Sequence, residues 1–142
     1  MVGPTKHPTP SYRQDIIVSG SDFYSSPRFS SSGHHLAYIE WNHPNMPWTH
    51  TGLHVGSWKI PSNPLSTSSK DWLSAVDCVG GKDIEESISQ LKWKSENQIC
   101  FVSDRSGFYN PYYYDLHIKK VEGLLNKPME AEFAGPEWNF NR

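Results

Sequence analysis

Gln98–Tyr114 reads QICFVSDRSGFYNPYYY, and this stretch decides the fold. Ile99, Cys100, Phe101 and Val102 are a short apolar run of β-formers, broken by the turn residues Ser103-Asp104-Arg105-Ser106-Gly107. An aromatic run, Tyr112-Tyr113-Tyr114, follows, so the stretch reads as two short strands around a polar turn. The same pattern occurs earlier. Leu36-Ala37-Tyr38-Ile39 is a similar run, residues 40–51 interrupt it at greater length, and Leu53-His54-Val55 resumes it. An entry strand precedes each hairpin, Pro27-Arg28-Phe29-Ser30 in the first and Leu91-Lys92-Trp93-Lys94 in the second. Pro136-Glu137-Trp138-Asn139 reads as a third.

The recurrence has a measurable spacing. Phe29 and Trp93 stand 64 residues apart and Trp93 and Trp138 stand 45 apart. A period of roughly 40–50 residues with four short strands per unit belongs to β-propellers, and loops 40–51 and 62–70 account for the longer first unit. A β-sandwich is the competing architecture, but it predicts alternation without the recurring order of entry strand, turn and hairpin. The expectation is therefore an all-β chain: an incomplete β-propeller with two complete four-stranded antiparallel blades and partial blades at each end. Residues 1–22 form a leading segment in which Tyr12–Val18 (YRQDIIV) supplies the last strand of a preceding blade. Residues 23–81 are the first complete blade, with Trp72–Val79 as its outer strand. Residues 82–128 are the second, with Asp115–Val121 as a polar edge strand and Leu124-Leu125 opening a further strand. Residues 129–142 start another blade. A helix over Asp83–Ser89 is the local alternative, although no apolar stripe supports more than one turn.

Composition agrees and excludes several functions. Hydrophobic residues make up 36% of the chain and aromatics 13%, with six Trp, seven Tyr, 11 Pro and 10 Gly. That mixture suits short strands and turns better than long helices. A formal net charge of -2 gives no basic surface for nucleic acid. No apolar run approaches the roughly 20 residues of a membrane helix, and the first residues, MVGPTKHPTPSY, lack the apolar core of a signal peptide. Cys78 and Cys100 each sit in a strand context and are expected to be buried, unlinked thiols. The location expected from these features is the cytoplasm.

Three motifs carry a resemblance. FYSSPRFSSSGHHLAYIEWNHPNMPW (Phe23–Trp48) resembles a propeller blade of the prolyl oligopeptidase family, in the branch of dipeptidyl aminopeptidases and acylaminoacyl-peptidases. ESISQLKWKSENQICFVSDRSGFYNPYYYDL (Glu86–Leu116) resembles the next blade, and EAEFAGPEW (Glu130–Trp138) the start of another. The WNHPNMPW segment is the most specific piece; SPRFS and SDRSG are shared with TolB-like propellers. Departures are visible too. Ser31-Ser32-Gly33 and Ser95-Glu96-Asn97 stand where relatives carry Pro-Asp-Gly, and Thr49 stands where an Asp commonly follows Pro-Trp. The resemblance implies a parent serine peptidase that removes residues or acylated residues from peptide N-termini, its propeller filtering substrate by size. It implies a separate α/β-hydrolase domain as partner. A non-enzymatic TolB-like propeller that binds peptides or proteins is the alternative.

The chain itself offers no catalytic centre. Acyl transfer of this kind needs a nucleophile elbow, G-x-S-x-G, and the sequence contains none. His50 and His54 have the i, i+4 spacing of a helical zinc pair, but Gly52 and the Pro-rich loop argue against a helix there. No metal or cofactor is therefore expected. Asp104-Arg105 reads as structural, with Asp holding a turn and Arg spread on an aromatic ring. The aromatic set Trp93, Phe101, Tyr112–Tyr114 and Trp138 reads as blade-to-blade packing. The partner- or substrate-facing residues expected are Trp41, Asn42, His43, Asn45 and Trp48, in a rigid amphipathic loop at one end of the blades. Two complete blades cannot close a ring that takes 4–8, so the chain is expected to be a segment of a larger propeller. On its own it should be marginal and self-associate through its open ends, since uncovered aromatics forgo roughly 1.5–3 kcal/mol each.

Overall fold

The computed structural model describes Gly3, Tyr12 and residues 14–63 and 72–130. Eight strands appear in chain order: β1 (Phe23–Phe29), β2 (His35–Trp41), β3 (Gly52–Trp58), β4 (Leu73–Gly80), β5 (Ile88–Ser95), β6 (Gln98–Ser103), β7 (Asn110–Asp115) and β8 (Lys120–Gly123). They form two four-stranded antiparallel sheets, β1-β2-β3-β4 and β5-β6-β7-β8, each ordered as in sequence. Both expected hairpins form. Leu36 lies opposite Gly56 and Ile39 opposite Leu53; Ile99 lies opposite Tyr114 and Phe101 opposite Tyr112.

The two sheets repeat one another in detail. Ser26 in β1 and Gln90 in β5 both have positive φ, 52° and 55°, and each sits in a register shift of its entry strand. A bulge of this kind bends the strand and strengthens its twist. These residues are also 64 positions apart, like Phe29 and Trp93. The turns then differ by one residue, because Phe29 pairs with Leu36 whereas Trp93 pairs with Ile99. Past the turn the equivalent positions are Leu36 with Ile99 and Tyr38 with Phe101.

Stacking of the sheets makes the main core. Ala37, Ile39, Leu53 and Val55 of the first sheet are buried in one cluster with Ile88, Leu91, Ile99, Phe101, Tyr112 and Tyr114 of the second. Burying one such side chain contributes about 1.5–3 kcal/mol. Leu36, Tyr38 and Leu73 lie on the opposite face of the first sheet in a smaller cluster, with Ile17, Val18 and Trp58 against them. Polar links fasten the stack at several heights. Thr51 Oγ1 accepts from Ile88 N at 2.7 Å and donates to Ile88 O at 3.2 Å. Trp93 Nε1 donates to Arg28 O at 3.0 Å. Tyr114 Oη donates to Asp77 Oδ2 at 3.1 Å, and Lys119 pairs with the same carboxylate.

Several expectations are corrected. Among the described residues no strand forms across residues 14–19 and β1 pairs with β2 alone; Ile17 and Val18 pack as apolar cover instead. The edge strand expected over Asp115–Val121 is a strand end, a turn and a new strand. Asp115 Oδ1 accepts from His117 N and Ile118 N at 2.9 and 3.3 Å, Lys119 takes a φ of 55°, and β8 begins at Lys120. Leu124-Leu125 therefore follows the outer strand and does not start one. Residues 83–87 form no helix and lead into β5 at Ile88. The cysteines are free, but Cys78 is exposed and Cys100 only half-buried, since β4 is an edge strand and Cys100 faces away from the stacked interface. The third entry strand at Pro136–Asn139, with Trp138, lies outside the described residues.

At the end opposite the long loop, Glu96 in the β5–β6 turn reaches the β1–β2 turn. Its Oε1 accepts from Ser32 N at 2.7 Å, and its other oxygen accepts the Ser32 hydroxyl. The Ser32 hydroxyl is the main cause holding the carboxyl down to about 2, from an ordinary 4.5. A folded-state pKa below the unfolded one stabilises above pH 4.5, and that contribution is lost as pH falls toward 2. Glu96→Gln should therefore lower the urea midpoint at pH 7, and the gap to wild type should close on acidification between those values. A gap independent of pH would remove the charge from the account.

Candidate functional site

One end of the stack gathers the chemistry-bearing groups: the C-terminal ends of β2, β4 and β6, the N-terminal ends of β3, β5 and β7, and the long β2–β3 loop. The loop is built by short-range bonds. Asn45 N donates to Asn42 O at 2.9 Å and Thr49 N to Met46 O at 2.9 Å, while Thr49 Oγ1 accepts from Met46 N at 2.8 Å. The His43-Pro44 bond is cis. Pro44 and Pro47 limit the backbone between these turns, so the loop needs few external ties.

Those ties run to both sides. Asp22, in the turn before β1, donates its N–H to Asn42 Oδ1 at 2.8 Å and accepts from His43 N through Oδ2 at 2.9 Å. The Trp41 ring stacks on Phe23 at 5.4 Å, and the His43 ring meets Phe23 edge-on at 4.9 Å. On the other side Pro47 O accepts from Ser87 Oγ at 2.8 Å, and Thr51 N donates to Glu86 O at 2.9 Å. The structure thus brings Trp41, Asn42 and His43 together around Asp22 and Phe23. Asn45 is half-buried beside them, and Trp48 stands at the far side of the loop, 40% exposed. With Met46 at 44% and Phe23 at 37% exposed, the loop offers an aromatic and apolar surface.

Beside the loop lies a buried charge that sequence reasoning did not pair. Glu86 is 1% exposed and its carboxylate gathers four donors. Arg105 Nη2 lies 2.9 Å from Oε1 and Nε 3.0 Å from Oε2; Gly81 N donates to Oε1 at 2.9 Å; the Ser103 hydroxyl donates to Oε2. The Arg105 guanidinium also lies over the Phe101 and Tyr112 rings, at 5.6 and 5.2 Å. Asp104 accepts from Ser87 N at 2.7 Å. Asp104 and Arg105 are therefore structural, as expected, but Arg105 has a carboxylate partner 19 residues away that no local motif announces. Gly80 and Gly81 permit the approach. A Cβ on Gly80 would meet Glu86 Oε1 at 2.6 Å, and one on Gly81, whose φ is +82°, would meet Thr51 O at 2.1 Å.

The polar groups at this end are engaged with one another. The Glu86 carboxylate is saturated with donors and has no free lone pair directed at a substrate. Ser103 Oγ donates to that carboxylate and accepts from Arg105 N at 3.1 Å, with no imidazole among its partners. A cleft of about 190 Å³ adjoins the pair, lined by Gly80, Gly81, Lys82, Asp83 and Ile84. His54 is not paired with His50. It lies 3.2 Å from Glu40 and stacks on Tyr38 at 5.4 Å, and burial lowers its pKa against the opposing pull of Glu40. Among the described residues no group of three or more His, Cys, Asp or Glu converges as a metal site, and no helix is long and apolar enough to cross a membrane.

No family model and no curated protein matches the sequence. Solved structures do. A puromycin-hydrolyzing peptidase of Mycobacterium tuberculosis superposes with a TM-score of 0.70 at 35% identity, over 86% of this chain and 17% of that one. A puromycin hydrolase superposes with a TM-score of 0.63 at 27% identity, over 83% of this chain and 16% of that one. The chain therefore spans about a sixth of the length of these neighbours.

The Glu86–Arg105 pair generates a stability test. Arg105→Ala leaves a buried carboxylate without its countercharge, a change that costs about 3–5 kcal/mol. Arg105→Lys should recover only part of this, because an ammonium cannot form the two-pronged contact. Urea denaturation reads both, and a loss under about 1 kcal/mol for Arg105→Ala would mean that water reaches Glu86.

Proposed function

We propose that this chain, whose solved neighbours are puromycin-hydrolyzing peptidases of the prolyl oligopeptidase family, provides two blades of the propeller of a serine peptidase that releases N-terminal residues or acylated residues from peptides. The observation that carries the reading is the joint match of fold and sequence: 35% identity and a TM-score of 0.70 over 86% of this chain. The chain's part is non-catalytic. It contains no G-x-S-x-G elbow, and the one buried carboxylate among the described residues is fully occupied by structural donors. The free thiols of Cys78 and Cys100 agree with a reducing, cytoplasmic setting.

Within that reading the end bearing residues 41–50 faces the peptidase domain or the substrate path. Its exposed aromatic surface suits contact with a peptide, and its rigidity suits selection by shape. Trp41, Asn42 and His43 form the side of the loop anchored on Asp22 and Phe23, and Trp48 adds an exposed ring. The second reading, a TolB-like propeller that binds proteins without catalysis, rests on the same surface and on the absence of an elbow.

A chimera separates the two. The mycobacterial peptidase carrying this chain in place of its matched segment should still hydrolyse a minimal aminoacyl chromogenic substrate. Trp48→Ala in the chimera should change kcat/KM for longer peptides by roughly 10-fold, the scale of a lost apolar contact, and leave the minimal substrate unchanged. A folded but inactive chimera, or a Trp48 variant with unaltered length preference, would favour the binding reading. The isolated chain should show no turnover on either substrate.

A further inference from the structure

An open apolar cleft of about 710 Å³ lies on the face of the first sheet that points away from the second, lined by Tyr24, Pro27, Phe29, Leu36, Tyr38 and Trp58 with Ile17 and Val18 at its rim. The repeat says what kind of surface this is. Tyr24, Pro27 and Phe29 are equivalent to Ile88, Leu91 and Trp93, and Leu36 and Tyr38 are equivalent to Ile99 and Phe101. All five counterparts lie in the packed interface between the two sheets. In the cleft, Phe29 is 52% and Tyr24 39% exposed. Leu36 and Tyr38 are covered by Ile17 and Val18, so the first sheet carries, only partly covered among the described residues, the face that the second sheet uses to pack on it.

The opposite side of the molecule completes the match. Within the stack, the first sheet offers Ala37, Ile39, Leu53 and Val55, which form the opposed pairs Ala37–Val55 and Ile39–Leu53. The corresponding pairs in the second sheet are Cys100–Tyr113 and Val102–Pro111. These four lie on the outward face of the second sheet, where Cys100, Pro111 and Tyr113 are half-buried and no sheet among the described residues lies over them. Both halves of the internal interface are therefore present a second time, one on each outer face.

We propose that the 142-residue chain associates head-to-tail with copies of itself, the Cys100–Val102–Pro111–Tyr113 face of one copy seating in the Phe29–Tyr38 cleft of the next. The argument is continuity with the interface already formed inside the chain, and it does not depend on the peptidase reading. A heterologous contact of this kind closes into a ring when its rotation allows. Rings of 4–8 blades are the stable range, which at two blades per copy gives about two to four copies. The contact should be weaker than the internal one. Phe29 has no N–H to offer where Trp93 bonds to Arg28 O, so one polar link of the stack is absent.

Sedimentation velocity across a concentration series tests this with the full chain and two variants. Phe29→Glu damages only the cleft and Cys100→Glu only the outward face of the second sheet; both positions have solvent access, and circular dichroism checks the fold. Pro27→Glu and Tyr113→Glu replace either variant that fails that check. Wild type should form species of two to four copies, and each variant alone should be monomeric. An equimolar mixture of the two should form heterodimers and nothing larger, because one intact cleft and one intact outward face remain. A monomeric wild type at every concentration would overturn the proposal. So would dimers of Cys100→Glu alone, which would mean a symmetric contact between two clefts, or a mixture that stays monomeric.

Discussion

The structure depends on a carboxylate shielded from solvent. Glu86 stands where the chain leaves the first sheet at Gly80–Gly81 and enters the second at Ile88, and it is bonded from both. Burial of a lone carboxylate is prohibitive, so every donor around it is obligatory. Gly81 brings its N–H from the first sheet; Ser103 and Arg105 bring theirs from the end of β6. The backbone of the same residue also accepts from Thr51 N, which ties the start of β3 to the same point. A single side chain thus sets the distance and orientation at which the two sheets meet, and the two glycines before it are the consequence, since neither position has room for a Cβ.

From that junction the apolar interface follows. The bulges at Ser26 and Gln90 twist both entry strands in the same way, and the one-residue difference between the turns keeps the alternation in phase with the strand that follows. Leu36 and Tyr38 then face one way in the first sheet as Ile99 and Phe101 do in the second. Sheets related in this manner stack with unlike faces together. Such stacking leaves one unlike face free at each side, a feature of all quasi-one-dimensional arrays.

Most of the fold was legible because its signals are local. Each hairpin is a pair of β-former runs around turn residues, and the entry strands carry an aromatic at matching positions, Phe29 and Trp93. What escaped lacked a local signal or had one of a different kind. The turn at residues 116–119 contains neither Gly nor Pro, so the edge strand read as running unbroken over Asp115–Val121. Its real marker is Asp115, whose side chain caps the two following N–H groups. Ile16-Ile17-Val18 has strand composition, but a strand needs a partner as well as β-formers, and these residues meet side chains instead of a backbone edge. Glu86 was invisible as a partner for Arg105 because the pair is made by the fold, across 19 residues and two strands. The loop surface was easier to find than its clasp: WNHPNMPW stands out by composition, whereas Asp22, which holds Asn42 and His43, looks like an ordinary turn residue.

The two sheets differ most at the junction end, and the difference bears on function. After β6 the chain turns within Asp104–Gly107, and Arg105 folds back onto Glu86 over two aromatic rings. After β2 the equivalent turn is replaced by residues 42–51, and the equivalent of Glu86 is Asp22, 64 positions earlier. Among the described residues Asp22 has no arginine partner; it holds loop backbone instead, and the rings stacked there are Phe23 and Trp41. The repeat therefore uses one acidic position to join the two sheets and the other to hold a loop. A surface whose shape is held by turns, prolines and a carboxylate clasp loses little conformational entropy when it is contacted, and that economy is available only in the first sheet. Residues 41–50 and the rings beneath them are consequently the preorganised surface of this segment, while the second sheet's Asp104–Gly107 turn is committed to stability.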